Sequence, residues 1–323
     1  MNSYNSRWLD VCITAGVAFA LPLTTWAQQP TGDSNAQADT NDRPPNVAEF
    51  DTRLTLDGLD RAPGDVNIFG FAADPIDEPL VTDRPDFTES TEAVPLGRFQ
   101  LESGYTFTYD REGGERIREQ GFPELLLRVG VARDFELRFG WGGYALTERE
   151  FQSESRRGRP ISPEEHIQGA EDFELGFKLK IHEQRGLIPH LAILGGVTFP
   201  SGSPSASSGD VDPSLGMLWA YDLSDDLALA GQFIFATPTD DGDRFFQSAA
   251  SVSLGAALTD RLGTYVEYFG FYPDAEQSDS SHTVNGGFTY LVDTNFQIDI
   301  RAGFGLNEQA DDFFTGVGFA WRF

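Results

Sequence analysis

From Phe99 to the last residue this chain repeats one pattern about twelve times: an apolar side chain at every second position, with small or polar residues between. Successive side chains of an extended strand point to opposite faces, so each run builds a strand with one greasy and one polar face. The final run is the plainest. Val317, Phe319, Trp321 and Phe323 alternate with Gly316, Gly318, Ala320 and Arg322. The first reads Phe99, Leu101, Tyr105, Phe107 and Tyr109 against Gln100, Glu102, Gly104, Thr106 and Thr108. Leu125, Leu127, Val129 and Val131 then alternate with Glu124, Leu126, Arg128 and Gly130, and Phe135, Leu137, Phe139 and Trp141 with Glu136, Arg138, Gly140 and Gly142. Phe173 to Ile181 repeats the pattern against Glu174, Gly176, Lys178, Lys180 and His182. Weaker or shorter runs fall at 188–199, 213–222, 227–237, 245–258, 262–272 and 283–291, followed by 296–305 and the end.

Connector lengths say how these strands are joined. Every second connector is short (132–134, 183–187, 222–226, 259–261, 292–295), and the others are longer and more polar (110–120, 148–169, 200–210, 238–244, 273–281, 307–312). That alternation is expected of an all-β fold, a transmembrane antiparallel barrel of about 12 strands with short periplasmic turns and long extracellular loops. A soluble all-β sandwich gives no reason for it. The mean hydropathy of -0.32 does not count against a membrane barrel, because half of each strand faces water. Aromatics at 13% and 34 glycines suit a greasy outer face and a small-residue inner one.

The start of the chain suggests export. Arg7 precedes an apolar run from about Val11 to Leu23, and Thr25-Trp26-Ala27 offers a cleavage site, so residues 1–27 read as a signal peptide. The run is shorter than the ~20 apolar residues a spanning helix needs. Cys12 is the only cysteine and lies within this leader, so thiol chemistry, disulfides and thiolate metal sites are not expected of the mature chain. Residues 28–96 read as a flexible periplasmic region and 97–323 as the barrel. With 51 acidic against 23 basic residues and a net charge of -28, nucleic acid is not an expected partner. The expected surroundings are outer-membrane lipid and lipopolysaccharide. Phe319, Trp321 and Phe323 have the aromatic pattern of a terminal signal read by the barrel assembly machinery.

Charges on the inner face cluster early: Glu102, Glu124, Arg128, Glu136, Arg138, Glu174, Lys178 and Lys180, with Glu267, Asp299, Arg301 and Arg322 added later. Neighbouring strands lie ~4.8 Å apart, so these groups can pair across the wall. They form either a constriction that filters solutes or a ladder of ion pairs that satisfies a polar interior. Twelve strands lie between the eight that side chains fill and the sixteen that leave a wide channel, so both an open and a blocked lumen fit.

One segment is more specific. Val81-Thr82-Asp83-Arg84-Pro85-Asp86-Phe87-Thr88-Glu89-Ser90, followed by Gly97-Arg98-Phe99-Gln100-Leu101-Glu102-Ser103-Gly104-Tyr105, resembles the opening of a family of outer-membrane transporters labelled for the meta-cleavage pathway of phenol degradation. The resemblance implies a β-barrel and passage of small organic or aromatic molecules, and carries over no binding residues. Standing just before the first strand, Asp83, Arg84, Asp86 and Glu89 can enter the lumen and pair with its charges, with Phe87 as an apolar anchor. Thr82 to Ser90 is then a latch; the blander reading is a polar lead-in in which Pro85 and Pro95 delay the first strand.

Catalytic and metal chemistry find little support. Ser281, His282 and Asn285 superficially make a catalytic set, but adjacent strand residues face opposite ways. Asp240-Asp241-Gly242-Asp243 lacks the spacing of a calcium loop and reads as an acidic, solvated loop. No cofactor is expected. The expected function is passive passage of small molecules, aromatic or hydrophobic ones among them; the alternative is a sealed structural or adhesive barrel.

Overall fold

A computed structural model describes residues 66–323 apart from 112, 113, 152–163, 241 and 276. The proposed signal peptide and Cys12 lie outside the described residues. One antiparallel sheet contains fourteen strand segments, and pairing of the first with the second closes it into a barrel. Two pairs of segments are halves of single strands, which leaves twelve. They are β1 (Phe99–Asp110), β2 (Glu115–Ala132), β3 (Phe135–Trp141 continuing as Tyr144–Phe151), β4 (Glu164–Ala170 continuing as Phe173–His182), β5 (His190–Phe199) and β6 (Asp212–Ser224). The rest are β7 (Leu227–Ala236), β8 (Gln247–Ala257), β9 (Leu262–Tyr272), β10 (Ser281–Asp293), β11 (Phe296–Gly305) and β12 (Phe313–Arg322). Each strand pairs with its neighbours in sequence, and β12 closes on β1 with Gln100 opposite Arg322 and Tyr109 opposite Phe313. Closure is what hydrocarbon demands, since an unpaired edge there would strand backbone donors and acceptors. Among the described residues no helix is long and apolar enough to cross a membrane.

The period-two pattern sorts side chains as expected. Leu175, Phe233, Val266, Phe288, Ile300, Val317 and Trp321 are exposed on the outside, while their neighbours face a polar interior. Phe99, Trp321 and Phe323 form a group at the short-turn end, Phe99 stacked on Phe323 with centroids 5.9 Å apart and Trp321 tilted against Phe323 at 4.8 Å. Towards the long-loop end, Trp141 stacks on Phe173 at 5.6 Å and meets Tyr144 edge-on at 5.4 Å. These two groups lie where the aromatic girdles of a membrane barrel stand.

Two connectors are shorter than their composition indicates. The expected loops at 110–120 and 148–169 are partly strand, because β2 begins at Glu115, β3 runs to Phe151 and β4 begins at Glu164. The extension is held by charge instead of an apolar face: Arg118 pairs with Glu150 at 2.8 Å and Glu148 at 3.7 Å, and Arg116 with Glu150 at 3.6 Å. The break within β3 falls at Gly142 and Gly143. Gly143 has a φ of 94°, and a Cβ there would overlap the Pro123 carbonyl, so the bend needs glycine.

The lipid face yields a direct test. Val266, 53% exposed within β9, should lose about 2–4 kcal/mol on replacement by arginine if it faces the bilayer midplane. Urea unfolding in phospholipid vesicles measures this, and Val266→Leu should stay close to the parent.

Candidate functional site: a segment threaded into the lumen

The chain reaches β1 by a detour. Val66 and Ala72 form an antiparallel bridge around a tight turn, in which the Asn67 Oδ1 accepts from the Phe69 and Phe71 amides, both at 3.0 Å. The Asn67 Nδ2 donates to the Gly97 carbonyl at 2.7 Å, and the Arg98 Nε donates to the Asp74 carbonyl at 2.7 Å. Both ends of the intervening segment are thus fastened at one place, the short-turn rim beside Phe323. From there it climbs past the β10–β11 turn, where the Leu80 amide donates to the Thr294 carbonyl at 2.9 Å. It turns over near Pro85 to Thr88 and descends along β2 to β4. A cavity of about 270 Å³ lies between its two limbs at the rim, bordered by Pro75, Glu78, Val94 and Arg322.

Asp83, on the ascending limb, is the centre of the contacts with β2 to β4. Its carboxylate meets Lys178 Nζ at 2.7 Å, Arg128 Nη1 at 3.2 Å and Arg138 Nη1, cations carried by β4, β2 and β3. Ser90 closes the hairpin by donating its hydroxyl to Asp83 Oδ1 at 2.8 Å and its amide to the same atom at 3.0 Å. The cations have further acidic partners. Arg128 grips Glu136 with Nε at 2.8 Å and Nη2 at 3.0 Å, and reaches Glu102 at 3.1 Å. Glu89 stands 2.9 Å from Arg138, Glu92 2.8 Å from Lys180, and the Val94 amide donates to Glu136 at 2.7 Å. Arg128, Glu136, Lys178 and Glu102 are almost wholly buried. Such charges persist in a protein interior only when paired and hydrogen-bonded, as these are.

At the top of the segment Arg84 reaches the adjoining stretch of wall formed by β2, β1, β12 and β11. It pairs with Glu124 at 3.0 Å and Asp299 at 3.4 Å, and its guanidinium lies against Gly104 of β1 and Gly318 of β12, which are directly paired. A Cβ on either glycine would overlap that guanidinium, so the two form its seat. Arg301 donates to the Pro85 carbonyl at 3.0 Å and to Thr106 at 2.8 Å, and Ser253 to Asp86 at 3.0 Å. Gln297 donates to Thr82 at 3.0 Å. Glu267 accepts from the Phe87 amide at 2.8 Å and the Thr88 amide at 2.6 Å, and the Thr88 and Ser251 hydroxyls are 2.6 Å apart. Gln232 donates to the Phe87 carbonyl at 2.6 Å and accepts from the Glu89 amide at 3.1 Å.

Every residue from Thr82 to Ser90 therefore lies inside the barrel, and the wall charges Glu102, Glu124, Arg128, Glu136, Arg138, Lys178, Glu267, Asp299 and Arg301 come together around them, while Lys180 pairs with Glu92 beyond them. Glu174 lies on the inner face of β4 opposite Gly140 and Thr198. Arg322 sits at the rim and donates to Asn295 and to the Glu78 carbonyl. Sequence reasoning missed the neutral wall partners Gln232, Ser251, Ser253 and Gln297 and the glycine seat. Their only signal was being small or polar at inward positions. Ser281 and His282 do face opposite ways: Ser281 donates to Asp274, and His282 meets the Tyr268 hydroxyl at 2.7 Å. Asp240 and Asp243 pair across a two-residue hairpin, with Asp241 outside the described residues. Among the described residues no three His, Cys, Asp or Glu side chains converge as a metal site would require.

A closed sheet of twelve antiparallel strands, greasy outside and polar within, defines a β-barrel of the outer-membrane type, here with an N-terminal segment in its lumen. The chain belongs to the family described as "Putative MetA-pathway of phenol degradation", whose model matches residues 82–323. The crystal structure of the COG4313 outer membrane channel from Pseudomonas putida F1 shares the fold with a TM-score of 0.51 and 15% identity, covering 74% of this chain and all 100% of that one. KdgM porin gives a TM-score of 0.42 at 12% identity over 69% of this chain and 99% of that one. The CymD monoaromatic hydrocarbon channel gives 0.36 at 9% identity over 70% of this chain and 88% of that one. No curated protein matches the sequence significantly.

The Asp83 cluster predicts a specific weakness. Replacing Asp83 by Ala leaves three buried cations short of a carboxylate, a change that costs on the order of 3–5 kcal/mol when a buried pair is broken. Proteinase K should then cleave between residues 72 and 97 in the variant and spare the parent. Equal protection of both would contradict the central place given to Asp83. Gly318→Val should expose the same segment by evicting Arg84.

Proposed function

We propose that this protein is an outer-membrane channel for small molecules, aromatic and hydrophobic ones among them, and that residues 82–90 are a latch that keeps it closed. The observation that carries the reading is how the segment is held. It joins the wall through side chains, ion pairs and single hydrogen bonds, and not as an added strand, and both of its ends are tied at one rim. Such an insert can leave without breaking the barrel's ladder. The family description, which names phenol degradation, supports passage of organic solutes, and the fold shared with the COG4313 outer membrane channel supports a channel.

In this reading residues 1–27 direct export, Phe319, Trp321 and Phe323 present the strand read by the assembly machinery, and the outer surface meets lipid and lipopolysaccharide. The inner charges act first as docking partners for the latch. No catalytic role is assigned, since Ser281 and His282 do not share a proton path.

A sealed structural barrel remains the competing reading, favoured by the near-complete pairing of the inner charges. The hydroxyls of Thr88 and Ser251 supply the test. In a Cys12→Ser background, Thr88→Cys with Ser251→Cys should cross-link under oxidation. Planar-bilayer recordings should show discrete openings after reduction and none while the disulfide holds. Silence in both states, with a folded barrel shown by heat-shifted gel mobility, would favour the sealed barrel. Equal conductance in both would remove the latch role.

A further inference from the structure

Phe87 is the single aromatic residue between Ala73 and Arg98, and the wall offers its ring a shaped place. It stacks on Phe269 with centroids 4.8 Å apart and an interplanar angle of 28°, and meets Phe271 edge-on at 5.4 Å and 69°. Phe269 and Phe271 stand at 84° to each other, so the two rings make a corner. Buried Ile234 and Ala249 close its base. All four belong to β7, β8 and β9, so the corner stays in place when the segment does not.

Polar groups border this corner on one side. The Glu267 carboxylate, two residues from Phe269 on the same face of β9, takes the Phe87 and Thr88 amides. Asn285, directly opposite Glu267 on β10, donates its Nδ2 to that carboxylate at 2.7 Å. Its Oδ1 is buried in a residue only 5% exposed and has no hydrogen-bond partner among the described residues. A buried acceptor without a donor is costly to keep and unusual in a native interior. When Phe87 and Thr88 leave, Glu267 also loses their two amides and keeps the Asn285 Nδ2 as donor. The vacated place then presents two perpendicular rings, an aliphatic floor and acceptors at its edge.

We infer that this corner is a binding subsite for a single-ring aromatic solute bearing a hydroxyl group, and that Phe87 occupies it in the closed form. The ring takes the position of the Phe87 ring, where offset and edge-on contacts are both available. The hydroxyl donates to Asn285 Oδ1, the acceptor left without a donor. Solute and latch compete for one place, so solute binding favours the open lumen and an engaged latch weakens solute binding by the same factor. The inference rests on the channel reading and names its solute class.

The test uses the rate at which the Thr88→Cys, Ser251→Cys protein forms its disulfide with diamide, which reports latch engagement without any current. p-Cresol should slow cross-linking by about fivefold or more, the lower end of ordinary coupling between sites. Cyclohexanol should have little effect, and toluene an intermediate one. Adding Phe269→Leu and Phe271→Leu should abolish the p-cresol effect, and Asn285→Ala should erase the preference for p-cresol over toluene. An unchanged rate with p-cresol, or an equal response to cyclohexanol, would overturn the subsite even if reduction opens the channel. Slowing by p-cresol in a protein that never conducts would support the subsite and sink the channel reading.

Discussion

The buried ion pairs around Asp83 are the interaction on which the interior depends. Twelve strands enclose more space than wall side chains readily fill, and four cations on β2 to β4 cannot lie in a dry interior without partners. The segment meets both needs. It supplies volume, and Asp83, Glu89 and Glu92 supply charge that the wall's own Glu102 and Glu136 do not fully provide. Arg84 reciprocates by neutralising Glu124 and Asp299 on the wall. Barrel and segment are therefore complementary in sign as well as in shape.

Much of the barrel can be read from sequence because its main rule is local. Alternation over ten residues decides which face of a strand meets lipid, and connector length decides which end is which. The strand extensions escape that rule: Arg116, Arg118, Glu148 and Glu150 are polar on the face where an apolar signal is sought, and their pairing becomes visible only across strands. The latch residues were legible as an unusual charged run close to the first strand. Their partners were not. Arg84 meets Asp299 across a separation of 215 residues, and Thr88 meets Ser251 across 163. No spacing rule links such pairs.

Gly104 and Gly318 show what kind of information is hidden. Each reads as one more small inward residue, but together they are a negative imprint of the Arg84 side chain. The same holds for Gln232, an ordinary polar residue whose importance comes from the Phe87 and Glu89 backbone that approaches it. A lumen built to hold a segment records it through what the wall lacks, and sequence patterns register presence better than absence.

The rim turn at Val66–Ala72, braced by Asn67 and Arg98, has a consequence for timing. Because the segment is a loop tied to the barrel at its base, the departure and return proposed for it would be unimolecular. The lumen always sees it at a high effective concentration, on the order of millimolar for a short tether. Re-entry would then be independent of protein density in the membrane and would follow solute release on the timescale of loop motion, ns to μs for the bare chain and slower where charges must re-pair. An open interval would end by itself, with no partner needed to end it.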